Sequence, residues 1–433
     1  MSHTIYALSS GRLPAAIAVI RISGPKAGLA LQALAGKIPE PRRAAYAKFT
    51  DPDSRETLDD GLVLWIPGPK SETGEDMAEL HIHGGRAIVA SIFRVLGKLE
   101  GFRPAEAGEF TRRALLNGKI DVTGVEGLGD LIAAETEAQR RQAIRQFRGG
   151  LSKKVETWRE KLLSALSQIE AAIDFSDEGD VPDNLLHAAR NTAAELLAEI
   201  RLALRDAARG ERLREGFTVA IAGPPNVGKS TLLNRLAERD VAIVSDIPGT
   251  TRDVIEVALD LKGVPVVLID TAGIRETSDP VEAEGVKRAR ARAEAADLVL
   301  WLVDDDTNLV PRDPKREWIV RTKADLMTAK PKPNQLAVSA MTGAGMDALI
   351  GKLSEAASQL AGEPALVTHA RQRKALEEAG EHLMALSKPE ISGREELFAE
   401  ELRSAANALA RVTGKIGVED VLGEIFKNFC VGK

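Results

Sequence analysis

Gly223-Pro224-Pro225-Asn226-Val227-Gly228-Lys229-Ser230 decides how the middle of this 433-residue chain folds. The octapeptide fits the pattern G-x-x-x-x-G-K-[ST] and lies between an apolar run at 217–221 and a helical pattern carried by Leu232, Leu233 and Leu236. A glycine-rich turn from strand to helix aims backbone N–H groups at phosphate oxygens, and the helix N-terminus adds a favourable dipole. In that setting Lys229 reaches the β- and γ-phosphates, and the Ser230 hydroxyl ligates magnesium. Asn226, Val227, Gly228 and Thr231 complete the expected nucleotide contacts of this segment.

Outward from the octapeptide, strand-like runs at 217–221, 254–261, 264–269, 298–303, 318–321 and 336–338 alternate with helical patterns, as in a doubly wound parallel sheet. This α/β P-loop domain is placed at 215–363. Helical composition flanks it on both sides. Trp158, Leu162, Leu166, Ile169 and Ile173 recur at helix-face spacing, 185–204 is rich in Ala, Leu, Glu and Arg, and a further apolar series runs through Leu376, Leu383, Leu397, Leu402, Leu409, Val421 and Ile425. The expected architecture is therefore multidomain. An α+β N-terminal domain occupies 1–118, a discontinuous all-α domain occupies 119–214 and 364–433, and the P-loop domain is inserted within the latter.

Composition narrows the function classes. Lys and Arg total 58 against 64 Asp and Glu, a net charge of −6, so no global basic field draws nucleic acid and any RNA contact must be local. Aromatics are 4%, too few for a broad base-stacking platform. The single cysteine, Cys430, excludes an internal disulfide and suits a reducing compartment. No stretch approaches the roughly 18 apolar residues of a membrane span, and the apolar start before Arg21 lacks a basic leader. A cytoplasmic location without membrane attachment is expected.

The base is read from three further segments that resemble those of the GTPases. Asp270-Thr271-Ala272-Gly273 resembles the D-x-x-G segment at the γ-phosphate. Thr322-Lys323-Ala324-Asp325 resembles [NT]-K-x-D, whose carboxylate accepts from guanine N1–H and the exocyclic amine, a donor pair adenine lacks. Ser339-Ala340 resembles the last guanine-contacting segment. Gly249-Thr250-Thr251-Arg252-Asp253 looks like switch I, with Thr251 the second protein ligand of magnesium. After the D-x-x-G segment stands Ile274, which cannot orient water as the glutamine of Ras-like enzymes does. Asn226 and the Gly-Thr-Thr switch instead resemble potassium-activated GTPases. That likeness implies a potassium ion held by Asn226, Ser245, Ile247 and Thr250, with Asp246 and Pro248 lining the same nucleotide-contacting stretch.

The chain as a whole resembles the bacterial tRNA-modification GTPase family called MnmE or TrmE. The residues that carry the resemblance are Val19-Ile20-Arg21-Ile22-Ser23-Gly24, Thr73-Gly74-Glu75-Asp76, Glu79-Leu80-His81-Ile82-His83-Gly84-Gly85, the run from Gly108-Glu109-Phe110 to Gly118-Lys119, and the end Phe429-Cys430-Val431-Gly432-Lys433. Ala107, Glu72, Thr322 and Val431 depart from the family's commoner residues. The resemblance implies an N-terminal domain that binds 5-formyl-tetrahydrofolate and forms a homodimer. Arg21, Glu79, Lys119 and Lys433 are its folate contacts by matched position, cations suiting glutamate carboxylates and a carboxylate the pterin amide. It further implies a flavin-dependent partner (MnmG), a role for Cys430 near the folate, Glu282 as the residue that orients or activates the attacking water, and modification of carbon 5 of wobble uridine in tRNA.

Two basic runs, from Arg140 to Lys154 and from Lys287 to Arg292, are candidate tRNA footprints. His81 and His83 are expected on opposite faces of a strand, as structure before Gly84-Gly85, and no metal is assigned to them. The rival reading is an RNA-binding regulatory or ribosome-assembly GTPase. It requires a module such as a KH domain with its G-x-x-G loop, and nothing after Gly362 resembles one.

Overall fold

The computed structural model describes residues 3–174, 184–239, 241–243, 256–270, 294–304, 313–327, 336–360, 362–388 and 394–416, with positions 426, 429 and 432. The chain divides into two compact units, 1–129 with 409–433, and 130–408.

The first unit is built on a six-stranded sheet of β1 (Thr4–Leu8), β2 (Ala15–Ser23), β3 (Ala45–Thr50), β4 (Thr57–Ile66), β5 (Met77–Gly84) and β6 (Phe102–Pro104), in the order β3-β4-β5-β2-β1-β6. Neighbouring strands are antiparallel except β1 and β6. Helices α1 (Ala27–Ala35) and α2 (Arg86–Lys98) place Leu31, Leu34, Ile92 and Leu96 in the same core as Ile20, Ile22, Leu80 and Phe49. Then come α3 (Glu109–Leu116) and α4 (Val122–Ala133). Three of these strands, β1, β3 and β6, are short. The last spans three residues, and β3 alternates exposed Tyr46 and Lys48 with buried Ala47 and Phe49, a pattern too short to stand out.

β5 corrects one expectation. Residues two apart on a strand share a face, so His81 and His83 lie on the same side as Glu79, while Leu80 and Ile82 are buried on the other. His81 Nε2 lies 3.3 Å from Glu79 Oε2, and His83 Nδ1 lies 2.7 Å from Asp59 Oδ1. The two imidazoles thus have separate carboxylate partners, and no cluster of three metal-ligating groups occurs among the described residues.

The second unit contains helices α5 (Glu137–Phe147), α6 (Gly150–Asp174), α7 (Asn184–Arg205) and α8 (Ala207–Glu215) before its sheet. Trp158, Leu162, Leu166 and Ile169 of α6 are buried, and the indole N–H of Trp158 donates to Glu199 of α7 at 2.9 Å, the partner a buried indole needs. The sheet comprises β7 (Phe217–Ala222), β8 (Glu256–Leu261), β9 (Val264–Asp270), β10 (Leu298–Val303), β11 (Glu317–Arg321) and β12 (Leu336–Ala337), in the order β12-β11-β10-β7-β9-β8. α9 (Lys229–Ala237) and α10 (Met346–Ala357) pack on it, followed by α11 (Ala370–Ala385) and α12 (Glu395–Thr413). The sheet is not wholly parallel, as the sequence suggested: β8 runs antiparallel to β9. The cause is local. Lys262 (φ 59°) and Gly263 (φ 86°) are both left-handed, which is what a tight hairpin turn demands.

Candidate functional site

β7 is buried between two parallel neighbours, β9 and β10, at the point where the strand order reverses. In open α/β sheets ligands bind outside the carboxyl ends of strands at such a reversal. The chain leaves β7 through Gly223, at φ 150°, where a Cβ would meet the Leu302 carbonyl oxygen at 2.6 Å. Only glycine fits there. Asn226 is also left-handed (φ 61°), and Gly228 caps α9.

Lys229 is buried, and its ammonium donates to the carbonyls of Gly223 (2.9 Å) and Pro224 (2.8 Å), so the cation spans its own loop. Ser230 and Thr231 are exposed on the first turn of α9. Ser230 Oγ donates to Asp270 Oδ2 at 3.4 Å. Asp270 is the buried last residue of β9, and strand register pairs it with Ile221, two residues before the loop.

Thr322 follows β11 and is buried; its hydroxyl donates to the Val227 carbonyl at 2.6 Å, bracing the segment after β11 against the loop after β7. Its backbone N–H donates to Val303 at the end of β10. Lys323 (φ 54°) donates to Asp304 Oδ2 at 2.6 Å, Ala324 N–H donates to the Val338 carbonyl, and Asp325 is exposed. Ser339 is fully buried, its Oγ accepting from Thr342 N–H at 3.1 Å, and Ala340 follows it half-buried. Asn226 to Thr231, Asp270, Thr322 to Asp325 and Ser339-Ala340 therefore all lie at or just after carboxyl ends of strands in one sheet. Ser245 to Thr251, Arg252, Asp253, Thr271 to Gly273, Ile274, Glu282 and Lys287 to Arg292 lie outside the described residues.

A second polar constellation occupies the first unit. β2 and β5 pair Arg21 directly with Glu79, and Arg21 Nε and Nη2 both donate to Glu79 Oε1, at 3.1 and 3.0 Å. Glu72 joins Arg21 at 2.8 Å. One residue on, Thr73 accepts from Asn117 at 2.7 Å, two residues before the exposed Lys119. Gly432 accepts from Ser9 Oγ at 2.8 Å, next to the end of β1, whose Ala7 pairs with Arg21. Cys430 and Lys433 lie outside the described residues.

Sequence reasoning missed the network behind this pair. Ser23 Oγ donates to Glu75 and lies 2.7 Å from Thr73 Oγ1; Arg113 bridges Glu75 (2.8 Å) to the buried Glu109 (3.0 Å), which Arg103 also clasps. The signal was present in the T-G-E-D and G-E-F-T-R-R strings, though their charges meet only in three dimensions. Glu72 was visible only as a departure from a family pattern, and Thr322 only as a variant of asparagine.

The family described as GTP-binding protein TrmE N-terminus matches residues 4–119, and that described as MnmE helical domain matches residues 122–430. A tRNA modification GTPase MnmE of Azorhizobium caulinodans is 57% identical over 433 residues, covering 100% of this chain and 99% of its own. Proteins of the same name from a Bradyrhizobium species and from Methylorubrum populi are each 55% identical, covering 100% of this chain and 99% and 98% of theirs.

Proposed function

Because the chain belongs to the MnmE family of tRNA modification GTPases, it is a GTP hydrolase, and we propose that its potassium-stimulated turnover drives modification of carbon 5 of the wobble uridine in certain tRNAs. A flavin-dependent partner, MnmG, would act with it, and an N-terminal homodimer in the cytoplasm would be the working form. The observation that supports the reading is that the loop after β7, Asp270 at the end of β9, Thr322 to Asp325 after β11 and Ser339-Ala340 after β12 all stand at carboxyl ends of strands in one sheet.

The roles follow from the chemistry of each group. Lys229 exchanges its two carbonyl acceptors for β- and γ-phosphate oxygens, a stronger charge-assisted bond. The exposed Asp325 carboxylate accepts from guanine N1–H and amine, while Thr322 holds its segment against Val227. Ser230 and Thr251 would hold magnesium, which neutralises phosphate charge when bound. The Ser230 hydroxyl beside the Asp270 carboxylate is the hard-oxygen pair such an ion prefers. Asn226, Ser245, Ile247 and Thr250 would hold potassium, which supplies the positive charge that an arginine finger gives elsewhere. Glu282 would orient the attacking water in place of Ile274, and Cys430 would serve near the uridine chemistry.

Arg21, Glu79, Lys119 and Lys433 would hold 5-formyl-tetrahydrofolate, the source of the one-carbon unit. The Arg21–Glu79 pair fits such a ligand because it presents a cation and a carboxylate side by side, with Gly432 next to the strand that pairs with Arg21. We assign folate binding and dimerisation to 1–118, the helical body to 119–214 with 364–433, and GTP to 215–363.

One experiment tests the reading. GTP turnover and wobble-nucleoside mass spectrometry are followed in a reaction of this protein, its flavin partner and unmodified tRNA, in matched potassium and sodium buffers. Faster turnover and modified uridine in potassium are expected. Equal rates in the two salts would remove the potassium assignment, and an unmodified wobble base in both would remove the tRNA chemistry.

A further inference from the structure

α5 has two opposed faces. Gln142, Ala143 and Gln146 are buried, and the two amides donate to the carbonyls of Gly210 and Leu366. On the other side Arg141, Arg145 and Arg148 recur at intervals of four and three and are exposed. α6 starts two residues after Arg148, and its first turn exposes Lys153 and Lys154. Residues 137–161 contain eight Lys or Arg against three Glu, in a chain whose net charge is −6. Such a local excess is what binding a polyanion requires of an acidic protein.

Part of this charge is already engaged. Arg140 and Arg141 share Glu137 at 2.7 and 2.8 Å, Arg145 donates to the Pro364 carbonyl, and Lys154 meets Glu199 at 3.3 Å. Arg148 and Lys153 have no carboxylate partner among the described residues. Next to Arg148 in sequence, Phe147 leaves 40% of its surface exposed, one of three aromatic residues so exposed among the described residues, with Tyr46 and Trp301. A part-exposed ring next in sequence to an unengaged cation, with another on the following helix, matches the chemistry of single-stranded or looped RNA, which offers phosphates and unstacked base faces together. An acidic protein surface would satisfy the cations and leave the ring without a partner.

We infer that the outer face of α5 and the first turn of α6, centred on Phe147, Arg148 and Lys153, form a tRNA footprint, the cations on backbone phosphates and the ring against an unpaired base. The inference rests on the tRNA reading proposed above. The test uses the full chain and a fluorescently labelled unmodified tRNA transcript, with binding followed by anisotropy across a potassium chloride series. Arg148→Gln with Lys153→Gln should weaken binding about tenfold or more near 0.1 M salt and flatten the plot of log affinity against log salt by about two units, roughly one per lost phosphate contact. Phe147→Ala should weaken binding about fivefold or more with the slope unchanged, as loss of a stacking surface does. Retained helicity and melting temperature exclude misfolding. Wild-type affinity and slope in both variants would overturn the footprint alone, as would displacement of tRNA by polyglutamate as readily as by RNA. Failure of the unaltered chain to bind tRNA would instead overturn the reading beneath it.

Discussion

Glu109 is 2% exposed, yet it is the hub of the polar network behind Arg21 and Glu79. Burial pushes its carboxyl up, but hydrogen bonds from Arg103, the Glu106 N–H and Arg113 outweigh burial and hold its pKa at about 2, against an ordinary 4.5. A carboxylate depressed in the folded state contributes its full stability above the unfolded value and loses it as pH falls through the folded one. For Glu109 that window runs from about 4.5 down to about 2. Glu109→Gln, which leaves Arg103 and Arg113 facing a neutral amide, should cost about 3 kcal/mol at pH 7. The gap from wild type should close as the pH nears the lower end of the window. Urea midpoints of the first unit at stepped pH read this directly, and a pH-independent gap would refute it. No spacing rule reveals such a hub, because Glu75, Arg103, Glu109 and Arg113 sit far apart in sequence or on successive turns, and only the sheet brings them together. By contrast the places of Lys229, Ser230, Asp270 and Asp325 at or after strand ends were legible one by one, since the motifs they belong to prescribe both residue type and flanking element.

Helices of the second unit were legible as elements because their apolar periodicity is long. Trp158, Leu162, Leu166 and Ile169 are buried along α6 as that spacing requires. What the periodicity could not reveal is how α5 ties the chain where it runs into and out of the inserted sheet. Gln139 donates to the Arg214 carbonyl, Gln142 to that of Gly210, and Gln146 to that of Leu366, while Ala138 N–H reaches Gly263 in the β8–β9 turn. Amide-to-carbonyl bonds of this kind leave no pattern in a one-dimensional reading. α8 is held close at Gly210, where a Cβ would meet the Val367 carbonyl oxygen at 2.3 Å and the Ala365 Cβ at 2.7 Å. The first obstacle is backbone and cannot swing aside. Gly210→Ala should therefore destabilise the second unit by about 2 kcal/mol or more, with the 364–367 segment forced outward. Differential scanning calorimetry should record a lower transition for that unit, and a wild-type thermogram would show that the two segments part without cost.

At the scale of the whole molecule, the two compact units, 1–129 with 409–433 and 130–408, each have a core of their own, and the function proposed above gives each a ligand. A ligand that binds only the folded form of one unit stabilises that unit by mass action, about 2.7 kcal/mol at a free concentration one hundred times its Kd. GTP with magnesium should therefore slow amide exchange in β7, β9, β10 and β11, and a reduced folate should slow it in β1, β2 and β5. The discriminating measurement is hydrogen exchange by mass spectrometry with each ligand alone and with both. Sub-global opening of separate cooperative units makes protection local, so each ligand should leave the other unit's strands at their unliganded rates, and the two effects should add. Protection of every strand by either ligand alone would mean that the chain opens as one cooperative body. Binding of the two ligands would then have to be treated as a single folding and binding equilibrium.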